Sequence, residues 1–389
     1  MLTAVDDALS KILAKPLTSR NALALERLAA RRLKHGEPAF VADLGIGLAR
    51  RHGSAPEFDG LFDRLVRLLA VRRGPGHVGQ LLRLLAAAGP DDAERDRYAA
   101  SVLAACQQPA DLAVVFEDGP ADGTAPEELR ACLLHELVLR GVPVADTPGI
   151  AGWAASPHWR GHPLAALPLA TTVVEREPGL PHYTVDGSSY GLPYWDPEDR
   201  HPAPRRDVGV PPAVETTTVA TAALMATAVE DWAEDPEETE GRFEARTFTF
   251  AEPLEPPAVP VALVSLGLDC LAALGDLPEA GQETAFGVVA AEPAEVWQVL
   301  FAAASTGGAY VSGRFGAYGR LHAWRSLAAL AGAPADASPG EVEEHVRGCA
   351  WYRFGAATPW FHRVVWDLGV LAVARDGRRL AVLAATTSD

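Results

Sequence analysis

Residues 364–386 read VVWDLGVLAVARDGRRLAVLAAT, two apolar runs joined by Asp376-Gly377. An Asp-Gly pair in that setting predicts a β-hairpin with the dipeptide in a type I′ turn. The turn sets the register: Val373 faces Leu380, Leu371 faces Val382, and on the opposite side Val370 faces Leu383. A hairpin apolar on both faces belongs inside a sheet, with helices over at least one side. The C-terminal part is therefore expected to be α+β.

Upstream, Ser-Pro-Gly-Glu at 338–341 has the spacing of a capping box and predicts a helix through about Cys349. Leu321, Trp324, Leu327 and Ala328 share one face of a helix, which can cover the hairpin. ARTFTF at 245–250 alternates as a strand does, and VPVALVSLGL at 259–268 fits either a buried strand or a helix start. A helix is expected from Thr216 to Trp232, running into the acidic EDWAEDPEETE at 230–240, a solvated run.

The first 150 residues read as successive amphipathic helices. Val41, Leu44 and Leu48 share a face, as do Leu61, Leu65, Leu68 and Leu69, and Leu129, Cys132, Leu133 and Leu137. Turn compositions such as KHGEP, HGSAP and RGPGH separate them about every 20 residues, so helix pairs recur about every 40, the spacing of HEAT or armadillo arrays; no residue signature repeats with it, and the reading is an α-solenoid-like or irregular helical domain. TAPEE reads as a capping box with Thr124 as cap, Pro126 in the first turn and Glu127 reaching back. The expected fold is α+β overall: a HEAT/armadillo-like all-α domain over 1–145, an irregular proline- and aromatic-rich connection over 146–215, and an α+β domain over 216–389 ending in the hairpin.

Charge is unevenly held. Residues 1–150 carry 18 Lys+Arg against 20 Asp+Glu, whereas 151–389 carry 16 against 31. The acidic part disfavours nucleic acid and anionic membranes. Residues 20–73 are the exception, with eleven Lys+Arg against six Asp+Glu. Helical faces bearing Arg31, Arg32, Arg50, Arg51, Arg72 and Arg73 are either solvated outer faces or can meet nucleic acid or an acidic partner, this chain's own 230–240 run included. Four dispersed cysteines form no C-x-x-C pair, the N-terminus has acids where an export signal needs bases, and no apolar stretch reaches membrane-span length. A cytoplasmic protein with reduced thiols is expected.

Several motifs fall short of the chemistry they evoke. GSSYG at 187–191 matches G-x-S-x-G, but the proline-rich sequence after it cannot form the helix that a nucleophile elbow needs. His158 and His162, or Asp196, Glu198, Asp199 and His201, are ligand types without spacing that enforces convergence, so no metal or cofactor is expected. LLHELVL carries Leu139 where H-E-x-x-H needs its second histidine.

STGGAYVSGRFGAYGRLHAW at 305–324 is the strongest site candidate. Its glycines either expose backbone N–H groups to an anion beside Arg314 and Arg320, or admit close backbone approach. WYRFGAATPWFHRVVWD at 351–367 shares its composition. One shared patch is expected, holding Tyr310, Arg314, Arg320, His322, Trp351, Arg353 and His362, with the arginines facing solvent or an anionic ligand.

These two segments, continued through the C-terminal hairpin, resemble a family of actinobacterial proteins known as a domain of unknown function, mainly over about the last 90 residues and loosely over the earlier part. The resemblance implies a recurring C-terminal unit and carries no residue roles. The reading is a non-enzymatic protein-interaction module with a protein partner, bound to neither nucleic acid nor membrane. The alternative is an enzyme or small-ligand binder using 305–325 with 351–367.

Overall fold

Helix starts recur at Ser19, Pro38, Phe58, Pro75 and Ala93 in a computed structural model of the chain. The structure describes residues 14–88, 92–117, 125–191, 201–202, 208–233, 241–274, 283–284, 286–309, 312–362, 364 and 366–388. The chain divides into two units. The first comprises the described residues up to Ala165 with Leu180–Tyr190, and the second comprises Ala166–Gly179 with those from Gly191 onward.

In the first unit, α1 (Ser19–Lys34), α2 (Pro38–His52), α3 (Phe58–Ala70), α4 (Pro75–Ala88) and α5 (Ala93–Cys106) are followed by a short α6 (Ala113–Phe116) and by α7 (Glu127–Leu139). Local chemistry sets the ends. The Thr18 hydroxyl accepts from the Asn21 amide at the start of α1, and Asp92 does the same for Arg95 at α5. Pro38 opens α2 and Pro75 opens α4, where a missing N–H costs nothing. Each helix buries one stripe, Leu61, Leu65, Leu68 and Leu69 in α3 among them.

Packing follows the spacing. Besides touching sequence neighbours, α1 packs on α3, α2 on α4, α3 on α5, α4 on α6 and α5 on α7. Neighbour plus next-but-one contact builds two layers of stacked helices, the helical-repeat arrangement that the 20-residue period anticipates. Thr124 lies outside the described residues. Pro126 is itself the cap of α7, with Glu127 the first helical residue, so the capping frame read from TAPEE starts two residues later than expected. Past α7, α8 (Pro148–Ala154) and α9 (Pro157–Gly161) bring in Trp153 and Trp159, and the hairpin β1 (His182–Tyr183) and β2 (Ser188–Ser189) completes the unit.

The second unit is built on a six-stranded sheet. Its strands are β4 (Ala213–Glu215), β5 (Arg242–Phe250), β7 (Phe286–Ala291), β8 (Ala350–Ala356), β9 (Leu368–Val373) and β10 (Arg379–Thr386). A separate pair is formed by β3 (His201–Pro202) and β6 (Glu283–Thr284). Every pairing in the six-stranded sheet is antiparallel, in the order β4-β5-β10-β9-β8-β7. The hairpin β9–β10 pairs Val373 with Leu380, Leu371 with Val382 and Val370 with Leu383, as the sequence predicts.

The turn is of a different type. Only Gly377 has a positive φ (70°), and its N–H donates to the Ala374 carbonyl at 2.8 Å, a type I-like turn followed by a left-handed glycine. Asp376 accepts from the Arg378 amide at 2.9 Å, which holds it on the negative-φ side without changing the register.

Both sheet faces are covered. Phe248, Phe354, Leu371, Leu380 and Val382 meet α11 (Val259–Ser265), so VPVALVSLGL resolves as a helix. On the other face, Val370 and Leu383 are fully buried. There α10 (Val219–Ala226) packs on β5, α12 (Pro293–Thr306) on β8, and α13 (Phe315–Ala331) on β9 and β10. The helix expected over 216–232 is shorter, because Thr218 caps it with a Thr221 box and the chain turns again into a 3-10 segment at Glu230–Ala233. Ser338 and Glu341 form the expected box at the start of α14 (Pro339–Gly348).

Candidate functional site

The glycine-rich stretch joins α12 to α13. Gly307, with φ 81°, ends α12, and a bridge from Gly307 to Ser312 closes the connection. A Cβ on Gly313 would overlap the Ser305 carbonyl oxygen, and one on Gly319 would sit 2.6 Å from the Ser305 Cβ. These two glycines let α13 lie against the end of α12, which is the close-approach reading. Phe315 opens α13 at φ 58°, a left-handed conformation unusual for a residue with a side chain.

Tyr310 lies outside the described residues. Arg320 is 0% exposed and does not face solvent. Its Nε and Nη2 donate to the two Glu175 oxygens at 2.5 and 2.8 Å, while Nη1 reaches the Pro168 carbonyl and Nη2 the Ala170 carbonyl, each at 2.9 Å. Glu175 also accepts from the Trp324 indole at 2.7 Å and from the Thr172 amide at 2.8 Å. A fully buried carboxylate is thereby surrounded by donors, and the strap 166–179 is pinned to α13.

Arg314 and His322 do come together. Arg314 Nε donates to Asp231 at 2.6 Å, its Nη2 pairs with the other Asp231 oxygen, and Glu230 lies 3.3 Å away. His322 Nδ1 bonds the Thr227 carbonyl at 3.1 Å and lies 3.6 Å from Glu230. Burial first, and then the Arg314 charge, push the His322 pKa down to about 4, so the imidazole is neutral near pH 7.

The other three residues have separate partners. The Trp351 indole donates to the Val346 carbonyl at 2.7 Å. Arg353 stands in β8 between Val289 and Val370, its pKa lowered by burial. The His362 amide donates to Asp367 at 3.2 Å, and Asp367 also accepts from the Thr386 hydroxyl at 2.5 Å. Sequence reasoning missed Glu175 and Asp367, which no local pattern marks, and read Glu230 and Asp231 as the start of a solvated acidic run, whereas Asp231 is largely covered and pairs with Arg314.

Other chemistry is quiet. All four cysteines are free, and burial raises each thiol, Cys349 to about 11, which removes the thiolate a nucleophile needs. Ser189 stands exposed on the two-residue strand β2, not on an elbow. His158 pairs with Glu127 at 2.6 Å and His162 with Glu128 at 3.0 Å. Among the described residues, no group of three or more His, Cys, Asp or Glu is arranged to hold a metal, and no helix is long and apolar enough to cross a membrane.

The first unit shows an asymmetry of charge. Short connections make successive helices antiparallel, so α1, α3, α5 and α7 run in one direction as a layer. At their N-terminal end stand Asp59, Asp92, Glu127 and Glu128, and most of this charge is answered locally. Arg95 pairs with Asp59 and Asp92, and Arg97 with Glu128. Burial leaves Asp63 raised to about 6 and Asp96 to about 7.

At the C-terminal end, Arg31 and Lys34 of α1 and Arg72 and Arg73 after α3 are exposed. None of these four has an ion-pair partner among the described residues, whereas Arg32 pairs with Glu37 at 3.0 Å. Gln107, ending α5, ties the layer together by donating to the Ala70 and Arg72 carbonyls at 2.5 and 2.7 Å. Arg50 and Arg51 are exposed at the end of α2, which runs the opposite way.

No curated protein and no solved structure matches the chain. A family model matches residues 24–389, so the likeness extends far beyond the C-terminal 90 residues and takes in the helical unit as well as the sheet. The chain belongs to DUF6183, a family of unknown function.

Proposed function

We propose that the protein is a non-enzymatic interaction module whose helical unit receives an acidic segment of a protein partner. The observation that carries this reading is the row of exposed cations, Arg31, Lys34, Arg72 and Arg73, at one end of a helical layer. Basic residues near helix C-termini answer the helix dipole, at roughly 0.3–1 kcal/mol each. That role needs no more than one per helix, and here they stand in pairs. Such a row raises the encounter rate with an acidic surface and fixes its register.

The test uses a fluorescent Asp/Glu-rich peptide of about 12 residues with the full-length protein. Reversing Arg31, Arg72 and Arg73 to Glu should weaken binding at least tenfold and remove its salt dependence, while lowering the melting temperature by only the few degrees that loss of the helix-dipole interactions accounts for. Equal binding by the reversed protein ends the proposal, and so does preferential binding of duplex DNA over the peptide.

A further inference from the structure

The pinned strap creates a second feature on α13. Leu321, Trp324 and Ala328 of α13, Leu167 and Thr172 of the strap, and Val342 of α14 line a partly open cleft of about 200 Å³. Leu321 and Trp324 are nearly buried, so the walls are mostly packed carbon. Arg325, one residue on from Trp324, lines the same cavity and is exposed. Its guanidinium has no hydrogen bond or ion pair among the described residues.

The cavity is shaped before anything enters it. Glu175 binds Arg320, the Trp324 indole and the Thr172 amide at once, which fixes one wall against the other and sets the plane of the indole. A preformed site avoids the cost of ordering side chains on binding. Its volume falls below the roughly 300–1,000 Å³ of sites for drug-sized molecules, so the occupant is small.

One unpaired planar cation beside apolar walls selects a single carboxylate on a compact hydrophobic body, since the arginine fork matches a carboxylate edge. A phosphate would bring more charge than one arginine answers. An organic cation would meet repulsion at Arg325.

We propose that this cleft binds a small hydrophobic carboxylic acid, its carboxylate on Arg325 and its body against Trp324. The probes are 3-phenylpropionate and its neutral amide, titrated into the full-length protein by calorimetry. The acid should bind saturably and at least ten times more tightly than the amide. Arg325→Gln, a change at an exposed position, should abolish that preference, and Ala328→Phe, which fills the cavity, should abolish binding of both.

Equal binding of acid and amide overturns the proposal, as does absence of saturable binding by the acid. A preference that survives Arg325→Gln does the same. A peptide ending in a free phenylalanine carboxylate that binds tenfold more tightly than the acid replaces the small molecule with a protein C-terminus, and also counts against it. Should Ala328→Phe fail to fold, as judged by circular dichroism, the Arg325→Gln comparison decides alone.

Discussion

Arg320 and Glu175 sit 145 positions apart and share a site with no solvent exposure on either side chain. Two charges so enclosed gain little net stability over a hydrophobic pair, yet leaving one alone is costly. Glu175→Ala should lower unfolding free energy by about 3–5 kcal/mol in urea titrations, whereas Glu175→Leu combined with Arg320→Met should cost far less.

Two titrations have opposite signs. His322 falls from 6.5 to about 4, so between those values the unfolded chain takes up a proton that the folded chain refuses, and stability declines as pH falls through the window. His322→Gln should flatten the decline in melting temperature from pH 6.5 to 4. Asp96 rises from 3.8 to about 7, chiefly through burial and then through Glu128, so its contribution is fully present below 3.8 and lost as pH rises through 7. Asp96→Asn should therefore raise the melting temperature at pH 8 and change it little below pH 4.

Helix spacing and helix ends are set by different residues. Gly319 sets how near α13 lies to α12, because a Cβ there meets the Ser305 Cβ at 2.6 Å. Gly319→Ala should cost about 1–3 kcal/mol by forcing the helices apart. Ser338 acts only on α14, where its hydroxyl accepts from the Glu341 amide at 3.4 Å and Glu341 accepts from the Ser338 amide at 2.7 Å. Ser338→Ala should cost about 1 kcal/mol. Chemical denaturation of the two variants should rank them in that order. The far end of α13 is held from outside the helix, as Arg379 donates to the Leu330 and Ala329 carbonyls at 2.6 and 2.9 Å.

At the scale of the whole molecule, the helical unit does not stop where its amphipathic period stops. His135, fully buried in α7, bonds the Leu164 carbonyl at 2.9 Å, and the Tyr183 hydroxyl donates to Ser101 at 3.1 Å. Trp159, 5% exposed, stacks on His162 and meets Trp153 at a tilt of 52°. Stacked helical layers gain stability from each added interface. A fragment of residues 1–190 should therefore unfold at a higher temperature than one ending at residue 140, by circular dichroism. Equal midpoints would show that the later segments add nothing to the helical array.

Much of this protein was settled by residues close together in the chain. The helix period, the Ser338 box and the β9–β10 register all follow from side chains within a few positions of one another, and local sterics and hydrogen bonds act at that range. The same locality explains the type I′ error at Asp376-Gly377: composition marked the turn and the strand register, but the turn centres on Arg375 and Asp376 with Gly377 after them, and the Asp376 bond to the Arg378 amide supports that geometry. Tertiary structure alone decided what the candidate residues do. Arg314 and Arg320 read alike in GRFGAYGR, six residues apart, yet one meets Asp231 and the other Glu175. A buried charge takes whichever opposite charge packing brings within reach, and packing joins residues at any separation in sequence.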